Sequence, residues 1–552
     1  MADFTSSVSH GLLPHDNGHS MGVPSGDRKI KTLPASKERL TWQLLFVVVA
    51  VSFGTWFPIG YSYAVTNAPQ AIIINWVRSV KCFRLGGSPT LLPSSNETED
   101  LSEKHQADQD FTRKLWCETV PENEEHLLLA ENTELNTIWA IVGAAIAGGA
   151  FVSLWSTNWW LGRFGSKNTM LINNGIGIVG TLLASLCVEA ASYEMLIIGR
   201  FIWGLNIGIA VSVAPLYVTE ISPTSLRGAT GTFPGICLVS GSFVAIVLGL
   251  PQLLGTVELW PVIAWLRGVP AIIIFLTLPF CPESPRYLLL IKNRKIAARR
   301  ALAFFRGTQN VDDELRTIQQ EGEAMVANGL SKPVSIFGLL QDSFLRRVMA
   351  ITTVVILCNQ LSGISPITVY TTAIFANIGL GKLESLYGTV GFFLLQILAV
   401  LASMLLMERA GRRLLLIGGF SCTALCLFGM TLFTAIGKMG YLWSNYVSMV
   451  CAMIFIVVFN LGPAFIPWVL VSEMFPQSAR GSAMTLVSAG CHLPNVSMTF
   501  LFPIVDALIG EYTFLIFGGI LVAGTVYMYF NVIETKGKPL DSIQAELRQR
   551  FS

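Results

Sequence analysis

Two short runs in this sequence carry the same charges at the same spacing. Glu220-Ile221-Ser222-Pro223-Thr224-Ser225-Leu226-Arg227-Gly228 and Glu473-Met474-Phe475-Pro476-Gln477-Ser478-Ala479-Arg480-Gly481 both read E-x-x-P-x-S-x-R-G. Two further pairs match in the same order. Gly162-Arg163-Phe164-Gly165-Ser166-Lys167 answers to Glu408-Arg409-Ala410-Gly411-Arg412-Arg413, and the run Pro282-Glu283-Ser284-Pro285-Arg286 answers to Ile533-Glu534-Thr535-Lys536-Gly537. Opposite charges placed twice at segment ends can pair and part, the chemistry of a latch. A second group of polar residues sits inside apolar stretches: Asn359, Gln360 and Ser365, then Gln396, Asn460, His492 and Asn495, with Trp468 nearby in sequence. Amides, hydroxyls and one imidazole can replace water around a hydroxylated solute, and an indole face can lie against its ring. No C-x-x-C spacing, P-loop or nucleophile elbow is present, so no metal, cofactor or enzymatic reaction is expected.

These residues must be positioned by membrane helices. Hydrophobic residues make up 52% of the 552-residue chain and charged ones only 13%, against about 25% charged in an ordinary soluble domain. Such a chain must face lipid. Apolar runs long enough to cross a bilayer, about 20 residues each, fall near 41–65, 137–160, 168–191, 195–218, 229–252 and 261–280. They resume near 346–376, 386–407, 413–437, 445–471, 482–508 and 512–532. The reading is an all-α membrane protein of 12 transmembrane helices in two six-helix halves, 41–280 and 346–533. A helical linker, 281–345, joins the halves, with a polar tail before (1–40) and a short one after (534–552). The repeated charge runs occupy equivalent places in both halves, as expected of a transporter built from parallel repeats with its substrate at mid-membrane.

Charge asymmetry gives the orientation. Arg163 and Lys167, Arg409, Arg412 and Arg413, and the linker residues Arg286, Lys292, Arg294, Lys295, Arg299 and Arg300 lie on one side. The loop 66–136 is acidic and falls on the other. Both termini and the linker are therefore expected in the cytoplasm and the loop outside. The Asn96-Glu97-Thr98 sequon in that loop is an expected glycosylation site. Cys82 and Cys117 share the same oxidising compartment and are expected to pair. In the linker, Ala297, Ala301 and Phe304 recur at helical spacing among Lys and Arg, the pattern of an amphipathic helix on the membrane surface.

At this point the sequence resembles the sugar porters of the major facilitator superfamily, of the facilitative glucose transporter type. The carriers of the resemblance are Gly199-Arg200, the PESPR run at 282–286 and Gln360-Leu361-Ser362-Gly363. Glu408-Arg409-Ala410-Gly411-Arg412-Arg413, Gly462-Pro463-Ala464-Phe465-Ile466-Pro467-Trp468 and Glu534-Thr535-Lys536-Gly537 complete the set. The resemblance implies the major facilitator fold, residence in the cell membrane and uniport of a hexose, glucose first. It implies substrate contacts from Gln360, Asn359, Ser365, Gln396, Asn460, Trp468, His492 and Asn495, and an inner gate built from Arg163, Glu220, Arg227, Glu283, Arg412, Glu473 and Arg480. It also places Arg200 near that inner gate.

Two features refine the expectation. Proton-driven porters of this type carry an Asp where this chain has Ser62, and the first span holds no acidic residue. Arg200 and His492 stand out as the ionisable groups within spans, and neither needs a proton cycle, so the expected mode is downhill. Against the glucose transporters, Asn359, Ser365, Gln396, Asn460 and His492 replace Gln, Asn, Asn, Glu and Trp, and Gly235 replaces a Gln. Gly235 is expected to enlarge the cavity on its side. These changes leave fructose, a polyol or urate as alternative substrates, and a nutrient sensor as the alternative class. Membrane lipid is the expected surrounding, no nucleic acid is expected, and nothing points to a protein partner.

Overall fold

The computed structural model describes residues 41–84, 133–223, 226–327, 336–536, 538 and 540–551. Asn96 and Cys117 lie outside the described residues. Cys82 is buried and disulfide-bonded.

Helices begin and end where the apolar runs do. The first span is Trp42–Ala64, opened by Thr41, whose hydroxyl accepts from the Leu44 N–H. The second and third form one long helical stretch, Thr133–Ser185, interrupted at Gly165, where φ is 82°. The fourth and fifth are Tyr193–Ile221 and Arg227–Leu248, and the sixth runs over Trp260–Phe280. In the second half the seventh span is two helices, Ser343–Leu361 and Ile364–Asn377, followed by Lys382–Ala410 and Arg412–Lys438 as the eighth and ninth. The tenth is also broken, into Trp443–Leu461 and Ile466–Met474; Gln477–Ile509 and Thr513–Asn531 close the set. Among the described residues 9 stretches meet a strict length-and-hydropathy test for crossing a bilayer. One of them, Ser482–Asn531, takes in both the eleventh and twelfth spans, while 166–185 and the shorter Phe233–Leu248 are not among the nine. No strand occurs among the described residues.

Three local differences from the sequence reading have physical causes. The stretch read as a loop from residue 66 opens with a helix, Gln70–Arg84. Its Ile73, Ile74 and Val77 are buried on one face, while Arg78, Lys81 and Arg84 make it too polar to register as a span. The seventh span breaks at Gly363, φ 80°, and not at Pro366. Pro366 falls in the first turn of the second helix, where a missing N–H costs nothing. A side chain at Gly363 would strike the Phe517 ring at 2.6 Å, so both the conformation and the packing require glycine here. In the linker helix Lys295–Arg306 the buried face is Ala298, Ala301, Leu302 and Phe305. Ala297 and Phe304 lie at its margins and not at its centre.

Candidate functional site

The broken tenth span explains the first polar cluster. Its chain turns at Gly462, freeing backbone carbonyls that no helix can satisfy. Asn359 Nδ2 donates to the freed Pro463 carbonyl at 2.6 Å, and Gln360 Nε2 donates to Asn359 Oδ1 at 2.7 Å. Asn359 thereby holds the seventh span to the tenth through Nδ2 and accepts from Gln360 through Oδ1. Gln360 keeps its carbonyl oxygen free: Oε1 is buried with no partner, and so are Gln396 Oε1 and His492 Nδ1. A buried polar atom left unpaired costs about 1–3 kcal/mol. All three belong to residues that the sequence reading expects to touch a solute.

The remaining expected contacts are less exclusive. Asn460 Nδ2 is occupied by the Ile456 carbonyl of its own helix at 2.8 Å. Asn495 Oδ1 accepts from Thr499 Oγ1 at 3.4 Å. Ser365 and Trp468 are half-buried, Trp468 packing against the main core. Gly235 faces the second half. A Cβ there would make ordinary van der Waals contacts, 3.4 Å from the Phe465 ring and 3.9 Å from Val400, both side chains of the other half.

Among the described residues two buried guanidiniums lie in the first half, and the sequence reading named one of them. Arg200, 1% exposed, donates to the Val142 carbonyl at 2.7 Å and to Thr66 Oγ1 at 3.1 Å. Thr66 follows the end of the first span, so Arg200 lies toward the end of the molecule opposite Arg412 and Glu473, and not at the inner gate. Its position in the fourth span, only a few residues after Tyr193, fixes that level. Arg267 was missed, although it interrupts the apolar sixth span and could have been read there. It donates to Ser62 Oγ at 2.6 Å, the Gly177 carbonyl at 3.2 Å, Thr181 Oγ1 at 3.3 Å and Asn206 Oδ1 at 3.2 Å. Its guanidinium stands 4.7 Å over the Trp203 ring. Spans one, three, four and six thus meet at one fixed cation with neutral partners throughout.

The ends of the two halves behave differently. At the Thr66 end, Asn67 Nδ2 donates to the Thr368 carbonyl at 2.9 Å and the Thr372 N–H donates back to Asn67 Oδ1 at 3.1 Å. Beside them Tyr370 stands so close to Gly143 that a Cβ there would meet its hydroxyl at 2.3 Å. The halves are locked together at this end. At the other end the contacts of the charged repeats, among the described residues, lie within single halves. Arg412 Nη2 lies 3.4 Å from Glu473 Oε1, and Thr535 Oγ1 donates to Glu473 Oε2. Glu220 is hydrogen-bonded to Ser284. Glu220 Oε2 and Arg412 Nε are both buried without a partner, and Arg163 is exposed. The side chains of Arg227 and Arg480 lie outside the described residues.

Glu283 and Glu534 do the same work in each half. Glu283 Oε1 accepts from the Lys167 N–H at 3.0 Å, where the third span starts after Gly165. Glu534 accepts from the Arg412 N–H at 2.9 Å and the Arg413 N–H at 3.0 Å, where the ninth starts after Gly411, φ 88°. Each carboxylate satisfies the orphan donors of a helix start and complements its dipole. Burial pushes the Glu283 carboxyl up despite those donors. Glu534 is also partly buried, but the N–H groups of Lys536, Arg412 and Arg413 outweigh that and hold it below the usual range.

The same pair of devices at equivalent positions establishes the internal repeat in three dimensions. Comparison with known proteins agrees: residues 47–547 match the family described as "Sugar (and other) transporter". The chain belongs to that family. It is 32% identical over 506 residues to facilitated glucose transporter member 3 of solute carrier family 2 from Canis lupus familiaris, covering 92% of both chains. It is 33% identical over 537 residues to member 4 from Mus musculus, covering 96% of this chain and 95% of the relative. It is also 33% identical over 553 residues to member 9 from Homo sapiens, covering 98% and 93%. The xylose transporter XylE from E. coli, solved in an inward open conformation, superposes with a TM-score of 0.66 at 19% identity, covering 91% of this chain and 99% of that one. The fold is the major facilitator fold, and the protein is a multi-pass membrane transporter.

Proposed function

We propose that this protein carries a hexose, D-glucose first, down its gradient by alternating access across the cell membrane. The observation that carries the reading is the set of three unpartnered polar atoms, Gln360 Oε1, Gln396 Oε1 and His492 Nδ1, in the second half of a sugar-transporter fold. Relatives named as facilitated glucose transporters support the substrate class. The absence of acidic residues from the first span and the fixed Arg267–Ser62 contact support a mechanism that does not cycle a proton.

The positive-inside pattern puts both termini, the linker and the Arg412 end in the cytoplasm, so the end locked by Asn67 is the outer one. In this state no ion pair joins the inner charges of the two halves among the described residues. Glu220 Oε2 and Arg412 Nε, unsatisfied here, gain partners when the inner end closes and the outer lock releases. The gate residues Arg163, Glu220, Arg227, Arg412, Glu473 and Arg480 work in that step. Glu283 and Glu534 hold the helix starts on which it pivots.

Uptake of labelled D-glucose into vesicles holding the purified protein, without any ion gradient and beside L-glucose, tests the reading. Saturable D-selective entry supports it. Flat D-glucose entry, with fructose, a polyol or urate carried instead, replaces the substrate and keeps the mechanism. No carriage of any of these solutes sinks the proposal.

A further inference from the structure

A cavity of about 920 Å³ opens between the end of the sixth span and the linker helix Lys295–Arg306. Its walls have two distinct characters. Phe280, Ile296 and Phe304 form an apolar side, with Phe280 85% and Ile296 72% exposed. Arg294, Lys295 and Arg300 form a basic side. The other arginines of this helix are already engaged: Arg299 pairs with Asp312 at 2.7 Å and Arg306 with Glu314 at 2.6 Å. Arg294, Lys295 and Arg300 make no ion pair among the described residues. Glu283 also lines the cavity, and its carboxylate is held by the Lys167 and Ser284 N–H groups, not by Arg294, Lys295 or Arg300.

The level in the membrane narrows the occupant. Phe280 ends a membrane span, so the apolar wall begins where the hydrocarbon stops and the basic wall lies just beyond it. An amphiphile with an acyl chain and an anionic head matches both walls at once, and basic pockets at this depth attract such heads. A soluble anion would leave Phe280, Ile296 and Phe304 uncovered. We infer that this cavity is a docking site for an anionic phospholipid, with its head on Arg294, Lys295 and Arg300 and its upper chain along Phe280, Ile296 and Phe304. The site is also connected to the moving parts. Arg306 Nη1 donates to the Ile221 carbonyl at 2.8 Å and Thr41 Oγ1 to the Phe305 carbonyl at 2.7 Å, so the helix is fastened to the ends of the fourth and first spans. The inference stands whatever solute the protein carries.

The test is photocrosslinking in phosphatidylcholine vesicles that hold the full chain and a trace of photoactivatable phosphatidylserine, followed by peptide mapping. Crosslinks are expected within 280–304, displaced by unlabelled phosphatidylserine and not by soluble glycerophosphoserine. Combining Arg294→Gln, Lys295→Gln and Arg300→Gln should weaken displacement by on the order of 100-fold, at roughly fivefold per basic residue. If that variant fails to fold, Arg300→Gln alone should show the roughly fivefold loss. Arg316→Gln on the neighbouring linker helix should change nothing. Crosslinks that ignore the three basic residues, or that map elsewhere, overturn the proposal. Displacement by glycerophosphoserine as strong as by the lipid would assign the site to a soluble anion and overturn it equally.

Discussion

Asn67 of the first half clasps Thr372 of the second: the Thr372 N–H donates to Asn67 Oδ1 at 3.1 Å while Asn67 Nδ2 reaches the Thr368 carbonyl at 2.9 Å. One side chain, just beyond the first span, therefore closes one end of the molecule against the broken seventh span. Two hydrogen bonds of about 1 kcal/mol each bias the two-state equilibrium toward the state described here. Asn67→Ala should shift that balance by roughly 5–30-fold toward release of this end. Hydrogen exchange of peptides covering 366–376 reads it directly: faster exchange is expected there, with the ninth and twelfth spans unaffected. Unchanged protection would show that the lock lies elsewhere.

The proposed gate pairs Glu220 Oε2 and Arg412 Nε, both buried without a partner here, when the inner end closes. Glu220→Gln and Arg412→Gln should each disfavour that state and slow net uptake by about 5–30-fold, corresponding to roughly 1–2 kcal/mol per partly buried pair. The melting temperature should stay within a few degrees of wild type. A variant that transports normally would remove that residue from the gate.

Gln360 offers a clean separation of binding from stability. Its carbonyl oxygen is buried and unpaired while its Nε2 donates to Asn359 Oδ1, so Gln360→Leu removes one costly atom together with one hydrogen bond and should leave thermal stability within about 1 kcal/mol of wild type. The same change should raise the half-saturating sugar concentration by about 5–100-fold, a loss of roughly 1–3 kcal/mol. Asn359→Ala should behave in the opposite way: it strands the Pro463 carbonyl and lowers the melting temperature, because Asn359 braces the tenth span. Reversed outcomes would exchange the roles assigned to these neighbours.

Arg267 holds four neutral acceptors in a fixed fork over Trp203. A lysine keeps the charge but cannot reproduce that fork. Arg267→Lys should therefore cost about 2–4 kcal/mol, read as a lowered melting temperature and poor folded yield. Near-wild-type melting would contradict its role as the tie among four spans.

Glu534 makes a pH prediction. Its folded-state pKa is held below the ordinary carboxylate value, chiefly by the N–H groups of Lys536, Arg412 and Arg413 acting against burial. Its contribution is therefore fully present above the ordinary carboxylate pKa and is lost as pH falls through the depressed folded value. Glu534→Gln should lower the melting temperature at neutral pH and have a smaller effect below that window. Glu283 is shifted the other way by burial. The folded state then holds its proton more tightly than the unfolded chain does, so this group's contribution falls as pH rises through the window. An equal effect of Glu534→Gln at both pH values would contradict the assigned shift.

The spans were legible because lipid leaves little choice of sequence: long apolar runs separated by Arg, Gly and Pro can form little else. The repeated Glu and Arg runs were legible for a similar reason, since charge at both ends of a repeat is visible without coordinates. What the sequence hid were relations between segments. The Gln70–Arg84 helix is too polar to look like a span, although Ile73, Ile74 and Val77 mark its buried face. The Phe465 ring that a side chain at Gly235 would touch lies in the other half of the chain. The level of Arg200 follows from counting along the fourth span from Tyr193, and the family likeness alone misplaced it. Arg267 was visible as a charge inside an apolar run, but its meaning came only with Ser62, Thr181 and Asn206 around it.

The measurement that bears most directly on downhill hexose carriage is counterflow. Vesicles preloaded with unlabelled D-glucose are diluted into trace labelled D-glucose, with and without a protonophore. Transient accumulation of label, absent with L-glucose and indifferent to the protonophore, is the expected result. No overshoot, or one abolished when the proton gradient collapses, would contradict the account.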